Sequence, residues 1–193
     1  MRSTGQIRII GGRLRGLRLR VPSVPGLRPS PDRLRETLFN WLTPVLPGAA
    51  VLDPFAGTGA FVLEALSRGA GEALAFERHP ALCHALSEQI ERVRPARLEV
   101  RRGDALAWLR AEPPRRFDIA FLDPPFQARL WEPAAVLLES RGWLGEEAWI
   151  YLESPPRLEL SLPQTWQPWR ASRVGEAWGR LYRRLSAPAP GAP

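Results

Sequence analysis

The sequence contains no lysine: all 27 of its basic residues are arginine. A P-loop phosphate site with its lysine and any Schiff-base enzyme both need an amine, so both are excluded. Cysteine occurs once, at Cys83, which leaves no internal disulfide and no multi-cysteine zinc or iron–sulfur site. Histidine occurs twice, at His79 and His84, too few to build a histidine-rich metal centre, and no metal is expected. No run of about 18 apolar residues is present to span a membrane. The opening MRSTGQIRIIGG lacks the apolar core and cleavage site of a signal peptide, so a cytoplasmic protein is expected.

The 193 residues suit one domain with a substantial core. Hydrophobic residues make up 45% and charged residues 24%, which is ordinary for a folded soluble chain. The net charge of +7 is unevenly placed. Residues 1–35 hold nine arginines against Asp32, whereas residues 36–193 hold 18 arginines and 19 acids. A basic arm on a near-neutral body points to a polyanionic partner. The competing reading is a solvated, arginine-rich surface.

Within that arm, Ile7–Gly11 and Leu17–Val21 read as a two-stranded ribbon. Leu17, Leu19 and Val21 alternate with Arg18 and Arg20, giving an apolar face and a guanidinium face. Pro22, Pro25, Gly26, Pro29 and Pro31 make residues 22–31 an extended linker. Ser30 is placed to N-cap a helix with Pro31 at its first position and Asp32 in its first turn. Leu34, Leu38, Trp41 and Leu42 recur at helical spacing, and the helix ends before Pro44.

From Ala50 the pattern alternates. Strands are expected at Ala50–Pro54, Ala73–Phe76, Leu98–Arg101, Phe117–Leu122 and Glu147–Leu152. Helices are expected at Ala60–Arg68, Pro80–Val93, Ala105–Arg110 and Trp131–Ser140. This order implies an α/β fold, with a parallel sheet covered by helices on both faces. Trp166–Val174 and Ala177–Leu185 flank Gly175-Glu176 as a C-terminal hairpin. The organisation expected is an arm (1–44), a core domain (45–186) and a frayed tail (187–193). Trp143, Trp149, Trp166, Trp169 and Trp178 are read as sheet and hairpin packing.

Four places carry candidate chemistry, each where a strand ends. The first is Asp53-Pro54-Phe55-Ala56-Gly57-Thr58-Gly59. Gly57 and Gly59 allow a sharp turn and close backbone approach to a ligand, and Asp53 adds a carboxylate suited to a cationic one. The continuation to Val62 departs from the dinucleotide fingerprint, whose sixth position is Gly or Ala. The second is Glu77, twenty positions past Gly57, which can accept hydrogen bonds from both hydroxyls of a ribose; the alternative is a surface acid paired with Arg78. The third is Asp104, either an acceptor for an adenine amino group or a helix N-cap. The fourth is Asp123-Pro124-Pro125-Phe126. Two prolines take the chain out of the sheet in an extended shape. That shape presents the Asp123 carboxylate and main-chain carbonyls as a row of acceptors beside the Phe126 ring. Such a row matches a planar base bearing an exocyclic NH2 group.

At these residues the sequence resembles the S-adenosylmethionine-dependent methyltransferases that act on exocyclic amines: Asp123–Phe126 fits their (N/D/S)-P-P-(Y/F) motif and Leu52–Gly59 their glycine-rich cofactor motif. It is most similar to the RsmD family, through Gly5–Gly12, Pro25–Pro29, Asp32–Leu42, Leu63–Ala70 and Asp123–Phe126, and the likeness covers roughly residues 5–185. The resemblance implies a Rossmann-like class I methyltransferase fold, with a seven-stranded mostly parallel sheet whose last strand is antiparallel. It implies S-adenosylmethionine as cofactor, with Asp53, Phe55, Gly57, Thr58 and Gly59 around its methionine part, Glu77 at the ribose and Asp104 and Ala105 near the adenine. It further implies methylation of the N2 amine of a guanine in 16S ribosomal RNA by Asp123, Pro124, Pro125 and Phe126. One departure is Arg78-His79 behind Glu77, where the family pattern often carries a second acid.

On that reading Arg8, Arg13, Arg15, Arg18 and Arg20 of the ribbon, with Arg28 and Arg33, grip phosphates without reading sequence. The partner expected is 16S rRNA, alone or in a 30S subunit or assembly particle, met by a monomer. Two other functions fit the same residues. One is a DNA or other-RNA methyltransferase acting on adenine N6 or cytosine N4. The other is a non-catalytic RNA-binding assembly protein on the same fold.

Overall fold

The structure, a computed structural model, describes residues 5–24, 30–93 and 97–185. The linker segment Pro25–Pro29, with Arg28, and the tail lie outside the described residues.

The chain begins as the expected ribbon. Strands β1 (Gly5–Arg8) and β2 (Arg18–Val21) pair antiparallel around a short 3-10 turn at Gly12–Leu14. Ile7 faces Leu19 across the pair, and both side chains are buried. Arg8 faces Arg18, and both are exposed. Period-two alternation thus sorts the ribbon into an apolar underside and a cationic top.

Helix α1 (Asp32–Leu42) buries Leu34, Arg35, Leu38, Phe39 and Leu42, the i, i+4, i+8 stripe its sequence spells out. Its cap differs from the expected one. Pro31 stands at the N-cap position, and its carbonyl accepts from the amides of Leu34 and Arg35. Ser30 makes no cap; its hydroxyl is drawn instead to a carboxylate more than ninety residues away, described below.

The body then alternates: β3 (Ala50–Asp53), α2 (Ala60–Ser67), β4 (Glu72–Glu77), α3 (Pro80–Val93), β5 (Leu98–Arg102), α4 (Ala105–Arg110), β6 (Phe117–Leu122), α5 (Trp131–Ser140), β7 (Leu144–Ser154), β8 (Trp166–Val174) and β9 (Ala177–Arg184). The seven strands β3–β9 form one sheet in the order β5-β4-β3-β6-β7-β9-β8. All neighbouring pairs are parallel as far as β7, and β9 runs antiparallel between β7 and β8. Strand β7 is longer than its apolar run. Leu144 already pairs with Phe117, and β9 extends the ladder to Ser154 opposite Trp178.

Each face of the sheet carries its own core. Ile119, Phe121, Tyr151 and Leu181 face α1, α2 and the ribbon. Leu52, Leu74, Ala120, Leu122 and Ile150 face α5 with Leu109 of α4. Every residue of α2 is buried. A helix that is apolar all round must be covered all round, and the ribbon supplies its outer cover. Glu64 of α2 accepts hydrogen bonds from the amides of Ile10 (2.7 Å) and Gly11 (2.8 Å) and from Arg68 Nε (2.7 Å). The Ser67 hydroxyl accepts from the Leu14 amide and donates to the Gly11 carbonyl. Gly12, at φ +72°, lies so close to the Ser67 carbonyl that a Cβ there would collide with it.

The carboxyl edge of the sheet as a candidate active site

Winding proceeds from β3 outward to β4 and β5 on one side, and from β6 to β7 on the other. In open α/β sheets the crevice at such a switch point receives ligands. The carboxyl ends of four adjacent strands here carry acids. Glu77 ends β4, Asp53 ends β3, Asp123 follows β6 and Glu153 lies one residue from the end of β7.

The glycine turn follows β3. Gly57 (φ +53°) and Gly59 (φ +74°) occupy the left-handed region that favours glycine, and α2 starts directly after. Glu77 holds this turn against the neighbouring strand. Its Oε2 accepts from the Gly57 amide (2.8 Å) and its Oε1 from the His79 amide (2.6 Å). It is buried and makes no pair with Arg78. Each of its oxygens keeps a second lone pair for another donor.

Asp53 is fully buried. Its Oδ1 accepts from the Phe55 amide (3.1 Å), while its Oδ2 has no partner. Burial pushes its carboxyl up to about 7; the Phe55 amide pulls the other way and Glu77 adds a smaller upward push. An orphaned, desolvated carboxylate oxygen fits a ligand that brings positive charge and N–H donors. S-adenosylmethionine brings a sulfonium and an ammonium, so the residues present suit it. Phe55, Gly57 and Thr58 are half-buried along the same turn, and Phe55 rests on the apolar cluster beneath the α5 face.

Asp104 caps α4, its Oδ1 accepting from the Ala107 amide (2.9 Å). Of the two readings offered by the sequence, the N-cap is the one formed; Oδ2 remains for a further donor. Ala105 is buried behind it.

The bend at Asp123–Phe126 follows β6 at the switch point, on the strand next to β3, which ends at Asp53. Asp123 is half-buried, Pro124 buried, Pro125 exposed and Phe126 half-buried. Pro125 keeps the extended shape (φ −53°, ψ 125°), but the chain then tightens into a 3-10 turn at Phe126–Ala128. The Pro125 carbonyl is therefore occupied by the Ala128 amide (2.8 Å). The Phe126 ring leans on Trp131 at 5.9 Å, tilted by 46°. Trp131 is itself pinned by its Nε1 donating to the Glu153 carbonyl (2.7 Å).

Behind the bend lies a polar cluster that the sequence does not bring together. The Ser30 hydroxyl donates to Asp123 Oδ2 (3.0 Å), and the Tyr151 hydroxyl donates to Glu153 Oε2 (2.9 Å). Glu153 is almost fully buried. Desolvation, then the Glu153 charge, drives the Asp123 carboxyl well above its usual range, against a downward pull from Ser30. Glu153 is raised as well, by burial. A sequence signal for it exists: like Asp53, Glu77 and Asp123, it is an acid directly after an apolar strand. Arg35 is hidden by its charge, since an arginine in a helical stripe reads as solvent-facing, yet it is fully buried.

The ribbon arginines Arg8, Arg13, Arg15, Arg18 and Arg20 are exposed, as is Arg33 on α1. Of the late tryptophans, Trp143 and Trp166 are buried as packing residues, whereas Trp169 is 55% exposed. Among the described residues no group of His, Cys, Asp and Glu could hold a metal ion, and no helix is long and apolar enough to cross a membrane.

Comparison with known proteins gives a consistent result. The family model described as conserved hypothetical protein 95 matches residues 7–183. The ribosomal RNA small subunit methyltransferase D of Escherichia coli (strain K12) is 45% identical over 182 residues, spanning 94% of this chain and 91% of that protein. Its namesake in Haemophilus influenzae is 37% identical, spanning 93% and 94%. Among solved structures, a putative methyltransferase from Escherichia coli superposes with a TM-score of 0.87 at 42% identity, covering 95% of this chain and all of that one. A putative methylase from Haemophilus influenzae gives 0.81 at 34% identity, covering 94% and 100%.

Proposed function

The chain belongs to the RsmD family, the conserved hypothetical protein 95 family, and from that premise we propose that it methylates the exocyclic N2 amine of a guanine in 16S ribosomal RNA. It is a methyltransferase with S-adenosylmethionine as its cofactor, and its relatives are named for small-subunit ribosomal RNA. What supports the finer reading is that the Asp123-Pro124-Pro125-Phe126 bend leaves β6 at the switch point, on the strand next to β3, whose terminal Asp53 keeps one oxygen without a partner.

S-adenosylmethionine, when bound, supplies a methyl group on a positively charged sulfur. Asp53 with the turn Phe55–Gly59 would hold its methionine part, Glu77 its ribose, and Asp104 with Ala105 the surroundings of its adenine. The amine of guanine is a poor nucleophile because its lone pair is conjugated with the ring. The Asp123 carboxylate and a proline carbonyl accept its two protons; the Pro125 carbonyl already accepts from the Ala128 amide, which favours Pro124 for this role. These contacts orient the nitrogen and favour the positive charge that develops on it. Positioning dominates, with a ceiling of roughly 7–11 kcal/mol from proximity and orientation. Phe126, set on Trp131, offers an aromatic surface for the base, which must leave any stack to reach it. Residues 1–44 serve as the RNA grip and 45–186 as the transfer domain, acting on rRNA alone or within a 30S particle.

Isotope-labelled cofactor incubated with rRNA and with DNA tests the substrate class, and mass mapping of the product nucleosides tests the atom. Label in N2-methylguanosine is expected; label in adenine or cytosine would replace this reading with the other amine chemistry. Asp123→Ala is expected to cut methyl transfer by about a hundredfold or more while S-adenosylmethionine still binds. Full activity in that variant overturns the assignment.

A further inference from the structure

The switch point divides the carboxyl edge of the sheet. Asp53 and Glu77 end β3 and β4, and Asp104 follows β5. The other half of the edge runs from β6 through β7 to the hairpin β9–β8, and it is the half left to the substrate. There β9 carries two half-buried arginines, Arg180 and Arg184. Alternation puts both on the face of Tyr182, the α5 side of the sheet. Arg184 is saturated: its Nε (2.9 Å) and Nη2 (2.8 Å) bind the Glu139 carboxylate, and its Nη1 reaches the Gly145 carbonyl (3.3 Å). Arg180 is not. Its Nη2 donates to the Ser154 hydroxyl (2.9 Å), its Nε is buried without a partner, and among the described residues no carboxylate pairs with it. Glu153 is no counter-ion, for its side chain turns with Tyr151 to the α1 side. Tyr182 is a phenol that burial keeps neutral, with Arg180 pulling the other way. Arg180 is thus the cationic counterpart of Asp53, a charge taken partly out of water whose compensation the chain does not supply.

Its place on the edge is beside the bend. Leu122 of β6 pairs with Leu152 of β7, and two residues on Ser154 pairs with Trp178 of β9. Trp178 therefore stands at the height of Pro124, two strands and about 10 Å away. The Arg180 guanidinium lies 4.2 Å over the Trp178 ring. Ser154, Trp178 and Arg180 share the α5 side, where the Phe126 ring rests on Trp131. Arg173, opposite Trp178 on β8, is exposed and adds a second guanidinium. A planar fork of donors seated on an aromatic ring suits a phosphate.

We infer that Arg180, seated on Trp178, binds the phosphate next to the target nucleotide. The RNA strand then crosses the carboxyl edge: the ribbon holds it on the α1 side, the hairpin holds it on the α5 side, and the base between them turns into the bend at Asp123. A base drawn out of its stack is steadied by a backbone held on both flanks. The inference rests on the reading of the chain as an RNA amine methyltransferase.

Binding and transfer kinetics with rRNA in Arg180→Gln test it, with Arg184→Gln as the structural control. In Arg180→Gln the KM for rRNA should rise about tenfold, with kcat within about twofold, the pattern of a lost binding contact. The slope of log affinity against log salt should shallow by about 0.7–0.9, one released counterion. Affinity for S-adenosylmethionine should not move, and Tm should stay within about 2 °C, since only a serine hydroxyl loses a partner. In Arg184→Gln, which strands Glu139, Tm should fall by about 4 °C or more while the salt slope holds. Arg180→Lys keeps the charge and should keep the natural slope, so the charge remains testable even where the glutamine variant folds poorly. A natural KM and slope in Arg180→Gln overturn the inference. So does a slope in Arg180→Lys as shallow as that of Arg180→Gln, and so does an equal change of slope in Arg184→Gln. Absence of transfer to rRNA by the natural chain defeats the underlying function and the inference with it; natural rRNA transfer and binding in every variant defeat the inference alone.

Discussion

Glu64 and Asp53 are equally buried, each fully sealed from solvent, and they do opposite things. Glu64 sits in the middle of α2 and is surrounded by donors: the amides of Ile10 and Gly11, Arg68 Nε and, farther off, Arg35. Asp53 ends β3 with one amide on one oxygen and nothing on the other. Burial of a carboxylate is costly in either place. Around Glu64 the chain itself supplies the compensation, so the residue staples the ribbon to the body. Around Asp53 the chain withholds it, which leaves the compensation to a proton or, on the function proposed above, to the cationic cofactor. On that proposal, saturation, rather than burial or charge, separates the structural acid from the functional one.

The sharpest way to break this contrast is to remove each acid in turn. Glu64→Ala leaves two amides and two guanidinium groups without their shared acceptor. It should destabilise the fold by about 3–5 kcal/mol, the usual cost of breaking a buried pair by losing one partner. Calorimetry should show Tm lowered by on the order of 10 °C, with proteolysis entering first at the ribbon. A loss below about 1 kcal/mol would mean that the staple is ornamental.

Asp53→Asn should move stability the other way. The folded-state pKa of Asp53 is about 7, above its ordinary 3.8. A carboxyl raised on folding contributes its full share below the ordinary value and loses it as pH rises through the folded one. Natural chain and variant should therefore unfold alike near pH 4. Above about pH 8 the variant should be more stable by roughly 2–4 kcal/mol, since a tenfold change in proton affinity on folding is worth about 1.4 kcal/mol. Urea unfolding at the two pH values measures the difference. The same substitution should weaken S-adenosylmethionine binding by about tenfold or more, because a cation loses its counter-charge. Unchanged cofactor affinity would place the methionine part elsewhere.

How far the sequence reveals this division follows from what each residue's neighbours along the chain can tell. The strand-end motifs are visible because each strand and its terminal acid are contiguous; alternation of apolar runs with helices places Asp53, Glu77 and Asp123 on one edge from the sequence alone. Glu153 carries the same sign, an acid directly after an apolar strand, but no glycine turn or proline follows it directly to mark it, and β7 pairs with β9 past that point to Ser154. Ser30 reads as a cap because Ser-Pro-Asp before an apolar stripe is good local capping chemistry. Contact with Asp123, 93 residues on, outweighs it. Glu64 shows only a faint sign, one acid in an otherwise apolar helix, and its partners come from the ribbon rather than from its own neighbourhood. Local preference is legible in a sequence; long-range hydrogen-bond saturation is not.

The ribbon's upper face supplies the gentlest test. Arg8 and Arg18 stand opposite each other across β1 and β2, a like-charge pair that costs stability in a bare sheet. Little among the described residues depends on these charges: Arg18 donates one long, exposed bond to Gln6 (3.4 Å), while the underside, Ile7 and Leu19, does the packing, and Glu64 and Ser67 hold the backbone. Arg18→Ala should therefore leave stability within about 0.5 kcal/mol of the natural chain, in contrast to Glu64→Ala beneath the ribbon. Its effect should fall on rRNA affinity instead. If Arg18 engages one phosphate, the slope of log affinity against log salt should shallow by about 0.7–0.9, the contribution of one released counterion. An unchanged slope would remove Arg18 from the grip, and a slope unchanged on replacing each of the exposed ribbon arginines would take the RNA off this face altogether. The ribbon would then be only the lid that α2 requires, with its cationic top a matter of solvation.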